Sequence, residues 1–403
     1  MNDAARSLDS LRRGACPSLP APMATGDGLL ARLALAAPLT PEQAIGLAAL
    51  ARDCGNGIVE VTARGKMQLR GLDAAGTARL AEGVGALGIA VREGLGIEVS
   101  ALAGRDPAAA FDPRLLAAAL AQAADVAGLA ARLAPKVSVG IDGGGMLGLG
   151  GRDLDIAVSP AAGGFRIEAG GVVLGRTSAP VPVVLALLER LAAFGPRARM
   201  RDLIAAEGVA TLGEGLEPAG ARAPAPAEPV GRHALAEGWA LGLALPFGQI
   251  EAEGLAVLAG KAAELGAGFI EPAGGRALLI GPLAAAEAEA LAQWAGAAGL
   301  IVEPGDPLRR VEACPGAPAC GSARFATRAL ARELAGLARG RSVHVSGCVK
   351  GCAHPGRAGL TIVGLDEGAG IVIEGTPRDV PTRIVPFDEL AGAACRILES
   401  ARG

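Results

Sequence analysis

The sequence predicts an α+β protein built from two pseudo-symmetric halves, and three observations lead there. Residues 29–72 and 239–283 follow one pattern at an offset of about 210 residues. Each copy runs apolar strand, Ala/Leu/Gly-rich helix, strand pair and second helix, which is half of a ferredoxin-like unit. Between the copies, Thr211 to Gly231 (TLGEGLEPAGARAPAPAEPVG) is rich in Pro, Ala and Gly, has no apolar period, and reads as a linker. So long a period excludes a solenoid of short repeats and points to tandem duplication of a half-protein.

In the first copy an apolar strand leads into a helix at 41–54, strands at 58–62 and 67–71 pair, and a helix follows at 74–87. In the second, the helix falls at 251–265, the strands at 268–272 and 277–281, and the second helix at 284–298. The parts that follow also correspond. A helix at 113–133, a strand at 136–141 and the glycine loop 142–151 match a helix at 321–338, a strand at 342–346 and the loop GCVKGCAHPG. Strands at 153–158, 164–168 and 172–175 answer to strands at 359–364 and 370–374, and helices at 180–195 and 387–401 close the halves. The expected units are 20–90, 91–210, the linker 211–231, 232–300 and 301–403. Only one of the two equivalent loops carries cysteines, so one half is expected to hold a cofactor while the other keeps the frame.

Composition narrows the function. The chain has 403 residues, 51% hydrophobic and 20% charged, enough for sizeable cores and too apolar for disorder. A net charge of −3, with 2% aromatics and no Tyr, argues against a nucleic-acid partner, which needs basic stripes or stacking platforms. No run of 18 apolar residues suggests a membrane span. The first twenty residues lack an apolar signal core, so a cytoplasmic location is expected.

Seven cysteines, an odd number, do not suggest a disulfide framework. Four of them form two pairs, Cys314-x5-Cys320 and Cys348-x3-Cys352, in loops carrying Pro315, Gly316, Pro318, Gly321, Gly347 and Gly351. Four thiolates in Gly/Pro loops suit an iron–sulfur cluster, because the backbone wraps it and turns N–H groups to sulfur. Zinc is the alternative, but its pairs normally stand two to four residues apart and neither loop is C-x2-C; buried free thiols are the third reading. Cys54 and Cys395 lie on apolar helices and read as core residues, and Cys16 has no thiol nearby in sequence.

Cys-x5-Cys followed by Ser346-Gly347-Cys348-Val349-Lys350-Gly351-Cys352-Ala353 resembles the signature of the sirohaem nitrite/sulfite reductases. The duplicated halves extend that resemblance over nearly the whole chain. It implies that each half is a ferredoxin-like half-domain followed by a nitrite/sulfite-reductase-type α/β domain. It also implies a 4Fe-4S cluster on Cys314, Cys320, Cys348 and Cys352, with Cys352 bridging to a sirohaem iron where one is bound. Thr62-Ala63-Arg64-Gly65-Lys66-Met67-Gln68 matches a second signature, T-x-R-x-x-x-Q, which implies that Arg64 and Gln68 meet a tetrapyrrole. A forked, permanently charged guanidinium suits the carboxylates of such a ring.

Two departures matter. Where the reductases place an Arg before Asn-Val, this chain has Gly96-Ile97-Glu98-Val99, and their K-x-K is Lys136-Val137-Ser138. A site short of two cations is poorly built to reduce sulfite or nitrite, so a sirohaem-dependent reductase is the alternative reading. The segments RRGACP (12–17), PMATGDGLL (22–30), ARGKMQLRGL (63–72) and VHVSGCVKGCAHPG (343–356) are instead similar to the precorrin-3B synthase family, the cobalamin-pathway branch. That resemblance implies O2-dependent hydroxylation of precorrin-3A at C20 with γ-lactone formation, Arg64, Gln68 and Lys136 gripping the macrocycle, and NADH as reductant. It also implies a mononuclear iron, whose ligands are not legible among three histidines, His233, His344 and His354. His344 reads as a core residue on a strand; His354 and Lys350, beside the thiols, are the catalytic candidates. Gly143-x-Gly145-x-x-Gly148 satisfies a dinucleotide pattern but leads into a strand rather than a helix, so electrons are expected from a separate reductase. A non-enzymatic electron carrier or tetrapyrrole-binding protein is the third reading.

Overall fold

The first half opens on a sheet ordered β1 (Met23–Thr25), β2 (Gly28–Leu33), β4 (Met67–Leu72) and β3 (Ile58–Val61), backed by α1 (Pro41–Cys54) and α2 (Ala74–Ala86). A computed structural model describes residues 17–220 and 227–400 of the chain, so Cys16, Arg12 and Arg13 lie outside the described residues. The start of α1 is set by a capping box. Gln43 N–H donates to the Thr40 hydroxyl at 3.2 Å and Thr40 N–H to the Gln43 side chain at 3.0 Å, with Pro41 in the first turn.

The equivalent sheet of the second half is β10 (Gly231–Leu235), β11 (Gly238–Ala244), β14 (Ala277–Leu283) and β13 (Phe269–Ala273), with α8 (Ala252–Glu264) and α9 (Ala285–Ala297). The two sheets exchange edges. Strand β12 (Gln249–Glu251) leaves its own half to pair antiparallel with β3, Gln249 opposite Glu60, while Leu39 of the first half bridges Ile270 of the second. One apolar core runs through both, joining Leu33, Leu47, Leu69 and Leu80 to Leu243, Leu258, Ile280 and Leu291.

Each half also carries a mixed sheet with its own core. In the first the order is β5 (Gly96–Val99), β6 (Ser138–Ile141), β7 (Ile156–Ala161), β8 (Gly164–Ala169) and β9 (Val172–Thr177), covered by α3 (Pro113–Val126) and α5 (Pro180–Phe194). In the second it is β15 (Val311–Ala313), β16 (Val343–Ser346), β17 (Ala358–Leu365), β18 (Gly368–Gly375) and β19 (Arg383–Val385), covered by α10 (Thr327–Ala335) and α11 (Leu390–Ser400). In both, the first three strands are parallel and the last two antiparallel. Loops leaving the carboxyl ends of such parallel strands are where ligands sit.

Several expected elements change. The helix at 113–133 ends at Val126 and resumes as α4 (Leu129–Arg132), because Gly128 adopts φ +61 between them. The helix at 321–338 shortens to α10, since residues 321–326 remain in the cysteine loop: Cys320 N–H bonds the Gly316 carbonyl and Arg324 N–H the Gly347 carbonyl. Strands of three or four residues, β1, β5, β12, β15 and β19, are too short to show a period in sequence.

Candidate functional site

The four clustered cysteines lie on two loops at the carboxyl ends of β15 and β16. Cys314 is buried, Cys320 and Cys348 are half-buried, and Cys352 is exposed. Gly347 N–H donates to the Cys314 sulfur at 3.2 Å, and the Thr327 hydroxyl at the start of α10 donates to the Cys314 carbonyl at 2.6 Å. Burial pushes the Cys348 thiol above its usual range, and the neighbouring Cys352 and Cys314 push it further. The β1–β2 turn closes on the other side. Gly321 N–H bonds the Gly26 carbonyl at 3.1 Å, and a Cβ on Gly26 would stand 2.5 Å from the Cys320 sulfur. Among the described residues no three His, Cys, Asp or Glu side chains already converge at metal-ligand distance. Four thiols on two adjoining loops, an amide aimed at sulfur and glycines at close approach nonetheless fit a 4Fe-4S cluster.

The other half holds the same loop pair without thiols. Register pairing sets Glu98 opposite Gly140 and Glu312 opposite His344, so Ser100 stands where the second half has Cys314. The backbone bond Ser100 N–H to Ile141 carbonyl (3.2 Å) mirrors Cys314 N–H to Val345 carbonyl (3.3 Å). Gly143 N–H donates to the Ser100 hydroxyl at 3.1 Å, as Gly347 does to Cys314. Carboxylates tie the rest of the loop: Asp106 accepts from Met146 N–H at 2.6 Å, and Asp142 from Gly144 at 2.8 Å and Leu149 at 3.0 Å. The glycine loop's amides are thus engaged within the protein, and the loop leads to β7 rather than a helix, against a dinucleotide role.

Alternation along β4 buries Met67 and Leu69 in the shared core and turns Gln68 and Arg70 to the opposite face. There Arg32 donates to the Gln68 carbonyl at 3.2 and 3.0 Å, Gln68 donates to Glu60, and Arg70 grips Asp27 through two contacts of 2.8 Å. Burial pushes Asp27 up, but its bonds to Arg70 and Thr25 outweigh this and hold it below the usual carboxylate range. Arg328, on the first turn of α10, is half-buried with Glu60 and Cys314 nearby, and its Nε and Nη2 lack a hydrogen-bond partner. Arg32, Glu60 and Arg328 were not legible as site residues; only the fold brings them to one face.

A cleft of about 820 Å³, part of it open to solvent, lies beside the hairpin tip that carries Arg64. Arg64, Lys66, Arg92, Arg105, Arg114 and Arg152 line it, with Glu98 and Glu271 as its carboxylates. Arg64 donates to the Asp153 carbonyl at 3.0 Å and bridges Gly274, the tip of the other half's hairpin. Glu271 is half-buried, accepts from Leu102 N–H at 3.2 Å, and desolvation pushes it up to about 7. A smaller cleft of about 490 Å³ is its pseudo-symmetric mate, with Arg276 for Lys66 and Glu312 for Glu98, and Phe247 beside them.

The remaining candidates separate. Lys136 requires correction: it is exposed and precedes β6, at the end of the parallel sheet opposite the cleft, and does not line it. Gln68 is buried and engaged by Arg32 and Glu60, away from Arg64. Lys350 is exposed and donates to the Ser322 hydroxyl at 3.0 Å, bracing the two cysteine loops. His344 is buried on β16, pushed down to about 3 by burial and by nearby His354 and Arg276, with neither ring nitrogen hydrogen-bonded. His354 lies edge-on to it at 5.7 Å, whereas His233 bonds the Pro229 carbonyl on β10. No third His, Cys, Asp or Glu side chain converges with that pair among the described residues.

Residues 21–87 match the nitrite/sulfite reductase ferredoxin-like half domain. The solved NirA protein of Mycobacterium tuberculosis superposes with a TM-score of 0.74 over 92% of this chain and 80% of that one, at 20% identity. The chain therefore has a nitrite/sulfite-reductase-like fold, a frame compatible with iron–sulfur binding. A precorrin-3B synthase from Sinorhizobium sp. is 40% identical over 98% of this chain and 90% of its own length. The chain belongs to the precorrin-3B synthase family and is an oxidoreductase. No helix among the described residues is long and apolar enough to cross a membrane.

Proposed function

We propose that the protein hydroxylates precorrin-3A at C20 with O2 and forms the γ-lactone, the step yielding precorrin-3B in aerobic cobalamin biosynthesis. The near-full-length identity of 40% to a precorrin-3B synthase carries this reading. One oxygen atom enters the macrocycle and the other leaves as water, using two electrons and two protons. The electrons come from NADH through a separate reductase, and the site of action is the cytoplasm.

Cys314, Cys320, Cys348 and Cys352 hold the 4Fe-4S cluster, which when bound supplies one-electron transfer. The cationic cleft holds the acetates and propionates of the macrocycle, since burying carboxylates uncompensated is costly. Arg64 is the exposed fork at the cleft's mouth, its side chain 45% accessible, and Arg92 and Arg105 extend the grip along the wall. Glu271, held near neutrality by burial, keeps or yields a proton at its carboxyl inside the cleft. His354, two residues beyond Cys352, is the imidazole closest in sequence to the cluster, and Lys350 stands between Cys348 and Cys352.

Anaerobic reconstitution followed by incubation with precorrin-3A under labelled O2 tests the reading. One labelled oxygen atom in the product is the expected result. A purified protein showing the strong Soret and red bands of sirohaem, with sulfite turnover, would overturn it in favour of a reductase.

A further inference from the structure

Both halves carry a glutamate at one register position, Glu98 on β5 and Glu312 on β15. Each pairs with the cation at a hairpin tip: Lys66 reaches Glu98 at 3.6 Å, and Arg276 pairs with Glu312. One cation is therefore enough to pin a tip to its sheet. Glu98 has gathered two more, Arg152 at 2.7 Å and Arg64 at 3.8 Å. Arg152 is fixed between them, because the same Nη1 also donates to the Arg64 carbonyl at 3.1 Å. Neither extra cation has a mate in the second half, where Gly274 occupies the place of Arg64. The Glu98 side chain is 5% exposed; of the other cations lining the cleft, Arg114 is held by Asp112 at 2.6 Å, and Arg92 and Arg105 have no carboxylate within ion-pair distance among the described residues.

We propose that Glu98 is a specificity residue: a built-in carboxylate that occupies Lys66, Arg152 and Arg64, so that a ligand with several carboxylates is admitted and a single small anion is refused. The proposal rests on reading the cleft as the polycarboxylate site. A tethered carboxylate acts at an effective concentration in the millimolar range or above, so a lone anion must displace it to make the same contacts. A ligand with carboxylates spread around a ring need not displace it. It takes the outward face of Arg64 together with Arg92 and Arg105, and the separate contacts reinforce one another. The pair is a matter of charge occupancy rather than of added stability, for a buried ion pair does not by itself stabilise a fold.

Anaerobic calorimetry with sulfite as the probe, on the full cluster-loaded chain, tests this. Glu98→Gln should bind sulfite at least tenfold more tightly than the native chain, and adding Arg64→Ala should remove most of that gain. Equal sulfite affinity in the native and Glu98→Gln proteins would overturn the proposal. Lys66→Ala in the otherwise native chain keeps the question decidable if Glu98→Gln does not fold. Its sulfite affinity should match the native value, because Lys66 is already occupied by Glu98; a severalfold loss would show Lys66 open to free anions and sink the idea. None of these readouts requires precorrin turnover, so a failure of the proposed reaction registers separately in the labelled-oxygen experiment.

Discussion

Single side chains make the sharpest claims on this protein. Replacing Cys314, Cys320, Cys348 or Cys352 by Ala should each abolish cluster absorbance, while Cys54→Ala and Cys395→Ala should keep it; absorbance and iron content per chain are the readouts. Arg64→Ala should weaken precorrin binding by roughly 1.5–3 kcal/mol, the range for a hydrogen bond to a charged group, with cluster absorbance unchanged. Arg64→Lys should restore only part of it, because an ammonium lacks the fork. Glu271 makes a claim about pH. Its folded value is raised by burial to about 7, above that of the unfolded chain, so the folded state holds the extra proton in between. Stability should therefore fall as pH rises from the ordinary carboxylate range toward 7, by on the order of 1.4 kcal/mol per unit from this group. Urea titrations across that window should show the slope, and Glu271→Gln should flatten it.

At the level of elements, the sequence reveals what repeats or periodically alternates. The helices at 41–54, 74–87 and 180–195 and the hairpins at 58–71 and 268–281 were legible because apolar period and length agree there. The thiol loops were legible because their spacing is chemical rather than periodic. Three-residue strands were hidden, and so was β12, whose partner β3 lies in the other half of the chain. The cleft was half visible. Arg64 carries a motif, but Arg92, Arg105, Arg114 and Arg152 are scattered in sequence and gather only when β5 and its loop meet the hairpin tips. Lys136 was misplaced for the converse reason: a motif position says nothing about which end of a parallel strand it precedes. The β1–β2 turn gives an element-level test. Any Cβ at Gly26 would meet the Cys320 sulfur at 2.5 Å, so Gly26→Ala should keep the helical circular dichroism and thermal transition nearly native while lowering iron per chain.

Considered whole, the molecule is two copies that cannot be separated. The core holding Leu33, Leu69, Leu258 and Ile280 is common to both halves, and each lends a piece of edge to the other's sheet. A chain cut in the linker leaves each part with that apolar surface bare. Residues 17–220 expressed alone should aggregate or lack a cooperative thermal transition, whereas the two parts produced together should recover one. A sharp, reversible transition in the isolated half would contradict the shared core.

The loop tied by Ser100, Asp106 and Asp142 has a bearing on how the enzyme matures. That thiol-free loop is tied by the chain's own hydrogen bonds, as Gly347 N–H and the Thr327 hydroxyl tie the loop of Cys314. The four thiols are graded from the exposed Cys352 through the half-buried Cys348 and Cys320 to the buried Cys314. A cluster delivered to these loops is expected to meet the surface thiol first and to be drawn inward.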